Sequence, residues 1–335
     1  MYRKITKFTI LLLSILMTLT LSSCVGEDMG DCRMTVRFVY NHNVLSANAF
    51  GSQVDQVMLY VFDENGVLVQ KHFNGTSKLT NEFSIRLNKL QHGRHRLVAW
   101  AQSSHLTSEQ SFFLIPELTE GISTIDELTY KIKREGNIQR HELNNLLVGM
   151  TESTIGHNDV FLPVTINLKK VTNKIKVVLM PYVSGGTLDV ANYNFSVVDK
   201  SGNGHINYDY SLLPDKQITY IPYYAANLEP KNNYSLFPDE IDMAAIVEIN
   251  TSRLTKENAP RLLITDKKDG REIVSINLPW FFSLINMEIH KEWSLQEYLD
   301  RQDMFAITLF FDEGIWMSGK IIINGWVINY KEINF

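Results

Sequence analysis

Val57-Met58-Leu59-Tyr60-Val61-Phe62-Asp63-Glu64-Asn65-Gly66-Val67-Leu68-Val69 is the stretch on which the fold turns. Residues 57–62 are apolar without a break, as in a strand covered on both faces. Asn65-Gly66 stands between that run and the next apolar one. Asn-Gly supplies the positive φ values of a type I′ turn, so the two runs are expected to form a hairpin.

The same pattern continues on either side. Met34, Val36, Phe38 and Tyr40 alternate with Thr35, Arg37 and Val39, the period of a half-buried strand. Phe83, Ile85 and Leu87 alternate in the same way, and after a turn at His92-Gly93 residues 96–100 form another strand. Residues 129–132 read as a short strand, and residues 143–150 as a short helical or irregular closure. A second set begins near Val160, with Leu162, Val164, Ile166 and Leu168 alternating, then Val171, Ile175, Val177 and Leu179. Strands follow at Phe195 and Val197 and at residues 245–249, 261–265, 273–278 and 305–311. Residues 320–330 are expected to be one long strand, with Asn324-Gly325 as a glycine bulge within it. Residues 279–290 are apolar but irregular, with a short helix as one reading. Ser294-Leu295-Gln296-Glu297 fits a capping box, so a helix is expected from Leu295 to about Gln302.

Many short strands with few helices indicate an all-β chain of sandwiches. No repeat period recurs, which argues against a propeller or solenoid. The break near His157 is expected to divide an N-terminal sandwich, 33–158, from a C-terminal one, 159–335. At 335 residues the chain exceeds one ordinary core, which agrees with two domains.

Ahead of these lies a leader. Arg3, Lys4 and Lys7 precede an uncharged apolar run, residues 8–20, and Leu21-Ser22-Ser23-Cys24 closes it. A basic head, a short apolar core and small residues at the exit make a secretory signal peptide, residues 1–23. The run falls short of the roughly 20 residues that span a bilayer as a helix. Leu21-Ser22-Ser23-Cys24 resembles a bacterial lipobox, which makes Cys24 the lipidated first residue of the mature chain. The bland alternative is a chance cysteine beside an ordinary cleavage site. Residues 24–32 are polar and glycine-containing, as suits a tether. Glu27 and Asp28 resemble a surface-export signal of Bacteroidota lipoproteins, or form a solvated spacer. Cys32 is the only other cysteine. It is alone if Cys24 carries lipid, and a Cys24–Cys32 bridge is the alternative. Two cysteines this close exclude a cysteine-rich metal site.

Removing the leader takes Arg3, Lys4 and Lys7, so the net charge goes from −5 to −8. So acidic a body is a poor partner for nucleic acid. No motif declares catalysis or a cofactor. His92 and His95 are spaced for a metal, but no third ligand stands out, and a polar turn is the simpler reading. Asp63-Glu64-Asn65-Gly66 lacks the closing glutamate of a calcium loop. Gly202-Asn203-Gly204 lacks the helix and basic residue of a phosphate loop. Asp312-Glu313 reads as a solvated pair. Trp100, Trp280, Trp293, Trp316 and Trp326 are core or interface residues, or else a carbohydrate platform. No catalytic, cofactor-binding or metal residue is expected, and Cys24 is the one expected site of modification.

Three further stretches carry a resemblance. They are Gln296-Glu297-Tyr298-Leu299-Asp300-Arg301-Gln302-Asp303, then Ile307-Thr308-Leu309-Phe310-Phe311, then Ile323-Asn324-Gly325-Trp326. Together they resemble the C-terminal signature of FimB-type fimbrial anchor lipoproteins, base subunits of the type V pili of Bacteroidota. Asp31-Cys32, Phe38-Val39-Tyr40, Leu59-Tyr60-Val61-Phe62-Asp63 and Leu97-Val98-Ala99-Trp100 are similar to that family as well. Residues 105–158 match none of its motifs. The resemblance implies two transthyretin-like β-sandwich domains, no catalysis and no cofactor. It also implies a surface-exposed outer-membrane lipoprotein that holds a pilus base, limits pilus length and partners a shaft pilin through β-strand complementation. A surface glycan-binding lipoprotein is the alternative, favoured if exposed tryptophans and tyrosines share one face. An enzyme would need a cleft of convergent carboxylates or histidines.

One residue carries the expected acyl chains, and two or more chains hold a protein stably on a bilayer. Cys24→Ala should therefore leave a folded protein that partitions into the aqueous phase of a detergent extraction. Recovery in the detergent phase at the native level would contradict the lipid anchor.

Overall fold

The computed structural model describes residues 33–75, 79–103, 112–156, 161–183, 186–228, 243–312 and 314–329. The expected leader, Cys24 and the tether lie outside them. The chain is all-β with a few short helices, as the alternation predicts.

The first sandwich faces a three-stranded sheet against a five-stranded one. The small sheet has the order β10-β1-β4, with β1 (Arg33–Val39) central, β4 (Ser84–Leu87) antiparallel to it and β10 (Phe161–Asn167) parallel to it. The larger has the order β11-β9-β5-β2-β3, built from β2 (Gln56–Phe62), β3 (Leu68–Asn74), β5 (Gly93–Gln102), β9 (Leu146–Ile155) and the two-residue β11 (Lys169–Lys170). Met34, Val36 and Phe38 of β1 point into this sandwich with no exposure. Phe38 stacks on Phe50, from the single-turn helix α1 (Phe50–Gln53), and on Phe83 at 5.9 and 5.8 Å.

The second sandwich pairs a six-stranded sheet, β16-β17-β12-β20-β21-β22, with a five-stranded one, β19-β18-β13-β15-β8. The first contains β12 (Thr172–Pro181), β16 (Tyr224–Leu228), β17 (Ala244–Ser252), β20 (Met304–Asp312), β21 (Ile315–Ile323) and β22 (Trp326–Asn329). The second contains β8 (Ile138–Gln139), β13 (Tyr193–Asp199), β15 (Ile218–Tyr220), β18 (Arg261–Asp266) and β19 (Glu272–Asn277). The apolar irregular stretch folds as helix α2 (Leu278–Ile289), with the Asn277 side chain accepting from the Trp280 amide. The Gln-Glu-Tyr-Leu-Asp-Arg run lies on helix α3 (Leu295–Arg301).

The two sandwiches are welded by the segment that matched no motif. Its strands β6 (Phe113–Leu114) and β7 (Thr129–Ile132) form a small sheet with β14 (His205–Asn207) of the second half, and β8 extends a sheet of the second sandwich. Tyr130 is fully buried beside Trp100 and Phe113. One continuous apolar core runs from Tyr60 and Trp100 on β2 and β5, through Leu128 and Tyr130, to Val197, Tyr220 and Leu262. Arg134 crosses the same boundary to Asp215 at 2.6 Å.

Four expectations need correction. The strand at 161–167 completes the first sandwich, so the chain crosses over after Lys170 rather than at His157. Alternation records which residues are buried but not against which sheet. Residues 146–155 are a central strand, not a helical or irregular closure. The two Asn-Gly pairs exchange roles. At Asn65-Gly66 only the glycine has positive φ, 79°. The Asp63 carboxylate accepts from the amides of Asn65 and Val67, and Gly66 N–H bonds the Asp63 carbonyl. That draws the turn one residue earlier, giving a three-residue loop ended by a left-handed glycine. Asn324-Gly325 has φ of 50° and 87° and joins β21 to β22 as a two-residue I′ hairpin rather than a bulge.

Gly149 on β9 tests the placement of β10. A Cβ there would lie 2.6 Å from the Asn167 carbonyl oxygen and 2.7 Å from Ile166. Gly149→Ala should cost about 1–3 kcal/mol in urea unfolding, the ordinary cost of overpacking.

Candidate strand-exchange surface

In an all-β protein the groups most ready to engage a partner are the backbone amides and carbonyls of edge strands. Most edges here are short or covered. The start of β3 is closed by the loop at residues 119–123: Leu68 N–H bonds the Ser123 carbonyl, Gly121 N–H bonds the Leu68 carbonyl, and Lys71 N–H bonds the Glu120 carboxylate. The edge strand β10 carries Pro163, which has no N–H to offer. Strands β4, β8, β11 and β16 are two to five residues long.

The C-terminal hairpin differs. Among the described residues β22 pairs only with β21, from Ile323 opposite Trp326 to Lys320 opposite Asn329, and forms the last rung of the six-stranded sheet. Its turn is pinned to β20, since Asn324 N–H bonds the Ala306 carbonyl at 2.8 Å and Ala306 N–H bonds the Asn324 side-chain oxygen at 2.7 Å. Among the described residues the strand beyond that pin has one neighbour.

Strand directions give the molecule two poles. β1 starts at Arg33, opposite Phe161, and ends at Val39, whose carbonyl accepts from Leu168 next to the crossover. The N-terminal side of the chain therefore enters at the pole remote from the second sandwich. β12 leaves the crossover at Thr172 and reaches the opposite pole at Pro181, opposite Phe311. There β20 turns into β21, with Ile315 60% exposed. From Trp326 to Asn329, β22 heads toward this second pole.

The signature helix acts as a clasp at the crossover. Its Ser294 side chain accepts from the Glu297 amide at 3.2 Å, as expected of an N-cap. Only half of the box forms, because Glu297 turns to Arg301 at 2.9 Å. Asp300 takes a two-pronged ion pair from Arg253, both contacts 2.7 Å. Gln296 bonds the Leu254 carbonyl, the Lys256 amide and Asp300. Arg301 lies over Trp293 and reaches the Asn43 carbonyl of the first sandwich. Lys170 and Asp303 close the same seam as an ion pair. Burial lowers the Lys170 pKa, and Asp303 opposes that shift. Sequence pattern singled out the helix but not Arg253, whose role is fixed by a partner 47 residues away.

The other candidates are structural. His95 is buried with its Nδ1 at 3.2 Å from the Gly93 carbonyl, and burial lowers its pKa. No group of three or more potential metal ligands occurs among the described residues. Gly202-Asn203-Gly204 is a buried turn in which Asp199 accepts from the amides of Ser201 and Gly202, and Asn203 accepts from the Tyr220 hydroxyl at 2.6 Å. Trp100 is 3% exposed, and Trp293 and Trp316 pack against the core. Among the described tryptophan side chains Trp293 and Trp316 are half-buried and Trp280, 38% exposed, is the most open; that of Trp326 lies outside them.

The family of fimbrillin-A associated anchor proteins Mfa1 and Mfa2 matches the chain over residues 29–332. No curated protein matches in sequence. Among solved structures, a candidate polysaccharide-binding protein from Bacteroides thetaiotaomicron is 32% identical, with a TM-score of 0.75, over 90% of this chain and 99% of its own. A candidate adhesin from the same organism is 27% identical, with a TM-score of 0.78, over 90% and 98%. The fimbrial anchor protein Mfa2 from Porphyromonas gingivalis is 17% identical and similar in fold, with a TM-score of 0.65, over 89% and 99%.

Arg253→Met should lower stability by about 3–5 kcal/mol, because it strands Asp300 without its partner. Adding Asp300→Leu should recover most of the loss in chemical denaturation. Ser294→Ala should cost about 0.5–2 kcal/mol; an unchanged midpoint would mean that the cap contributes nothing.

Proposed function

Because this chain belongs to the fimbrillin-A associated anchor family, we propose that it is the base subunit of a fimbrium, lipid-tethered to the outer membrane through Cys24 and joined to the next subunit by a strand of its own. The family is one of structural fimbrial proteins rather than enzymes, and its partners are other fimbrial subunits.

The observation that carries the finer reading is the position of β1. It lies in the middle of a sheet, hydrogen-bonded on both sides, with its inward side chains fully buried. A subunit that accepts a neighbour's strand needs an empty groove, and here the first strand fills that place. The same strand sits only a short spacer from Cys24, so cutting between them would release the body from its lipid. An anchor built this way donates a strand but accepts none, which ends the polymer. The C-terminal segment beyond the Asn324-Gly325 turn, from Trp326, is the donor, leaving toward the pole opposite the tether, where a shaft pilin would lie. Backbone hydrogen bonds supply the affinity of such an added strand and side-chain pockets its specificity.

Cysteines at Asn329 or Glu332, paired with cysteines lining the groove of the partner pilin, should crosslink the two proteins in fimbriated cells. Crosslinks confined to the monomer, for example between Asn329→Cys and Lys320→Cys, would rule out this donor.

A further inference from the structure

A base subunit that holds a filament must also bear its pull, and we propose that β1, β10 and β12 form a tension path from pole to pole. This rests on the anchor reading for its biological setting. The mechanical behaviour itself follows from the strand geometry.

Pulling at the tether draws β1 along its own axis, away from the crossover. β1 is held on one side by β10 over its whole length, Arg33 opposite Phe161 through Val39 opposite Asn167. On the other side β4 holds it from Met34 opposite Leu87 to Arg37 opposite Ser84. A force along the strands loads all of these hydrogen bonds together, so they must break in concert. A force across the strands breaks them one at a time, each bond contributing little by itself.

The strand that receives the pull does not end in the first sandwich. β10 runs parallel to β1 toward the crossover and continues as β11 and β12, with breaks only at Leu168 and Val171. This covalent line would extend at most about 70 Å at ~3.3 Å per residue. At its far end β12 is paired in parallel with β20, Lys174 opposite Met304 through Pro181 opposite Phe311, again a ladder loaded along its length. β20 leads to the distal turn at Ile315 and to the C-terminal hairpin. Tension therefore passes from β1 into β10, along the chain into β12, and across to β20. The Lys170–Asp303 pair and the Arg301–Asn43 contact brace the point where the line leaves the first sandwich.

Pro163 fixes which β10 amides serve the ladder. It has no N–H, so its backbone faces outward on this edge strand, as must that of Thr165. The amides of Leu162, Val164 and Ile166 then face β1.

The test is single-molecule pulling on the mature chain, residues 24–335, without lipid and with Cys32→Ser. Handles at Cys24 and Ile315→Cys load β1 along its axis. Handles at Cys24 and Asn88→Cys load the same strand across its ladder from one end, in an otherwise identical fold. The first geometry should need several times the rupture force of the second. Leu162→Pro should lower the axial force to about half, and Thr165→Pro should leave it near the native value, since forced unfolding follows the unfolding barrier rather than equilibrium stability. Equal forces in the two geometries, or equal losses in the two proline variants, would overturn the tension path. Cells lacking the protein that still retained their fimbriae would overturn the anchor reading and leave the measured forces as they were.

Discussion

The parallel pairing of β1 with β10 is the constraint from which the rest follows. It joins residue 33 to residue 161, across most of the first half of the chain, and sets β1 between β10 and β4 in the small sheet. Closing so long a loop costs entropy slowly with length, so the pairing is affordable if enough apolar surface comes with it. Met34, Val36, Phe38, Val164 and Ile166 bring that surface to one core. Once β10 is placed, β11 and β12 have only one way to leave, and the second sandwich is laid down from that exit.

The second sandwich would otherwise be a separate body on a short connection. Segment 112–143 prevents this by giving strands to sheets in the other half. The outer face of β2 and β5, with Tyr60, Phe62 and Trp100, is thereby covered and shares a core with β13, β15 and β18. Two domains that share a core in this way resist relative motion more than domains meeting at a small polar interface. That stiffness is a mechanical property of the fold.

The signature helix has a similar meaning. Its Gln296, Asp300 and Arg301 bond to Arg253, Leu254, Lys256 and Asn43 in the seam where the chain crosses. A motif specific enough to identify a family is thus a structural clasp here. Its ion pair is valuable chiefly because either member alone would be costly to bury.

Alternation and turn residues were enough to find the strands at 34–40, 57–62, 83–87 and 96–100 and most of those after 171, because burial on one side of a sheet leaves a period of two in the chain itself. The N-cap at Ser294 was legible for the same reason: donor and acceptor are three residues apart. The resemblance of Leu21-Ser22-Ser23-Cys24 to a lipobox is likewise a reading of the chain alone, and those residues lie outside the described ones. What pairs with what was not legible. The strand at 161–167 looks the same whichever sheet receives it, and its neighbour was chosen by a core assembled more than a hundred residues upstream. Arg253 has no local mark that would assign it to Asp300. The two Asn-Gly turns were decided by their surroundings. At Asn65 the Asp63 carboxylate captured the neighbouring amides and moved the turn, while at Asn324 pairing with Ala306 left both central residues free to take the positive φ values that a two-residue hairpin demands.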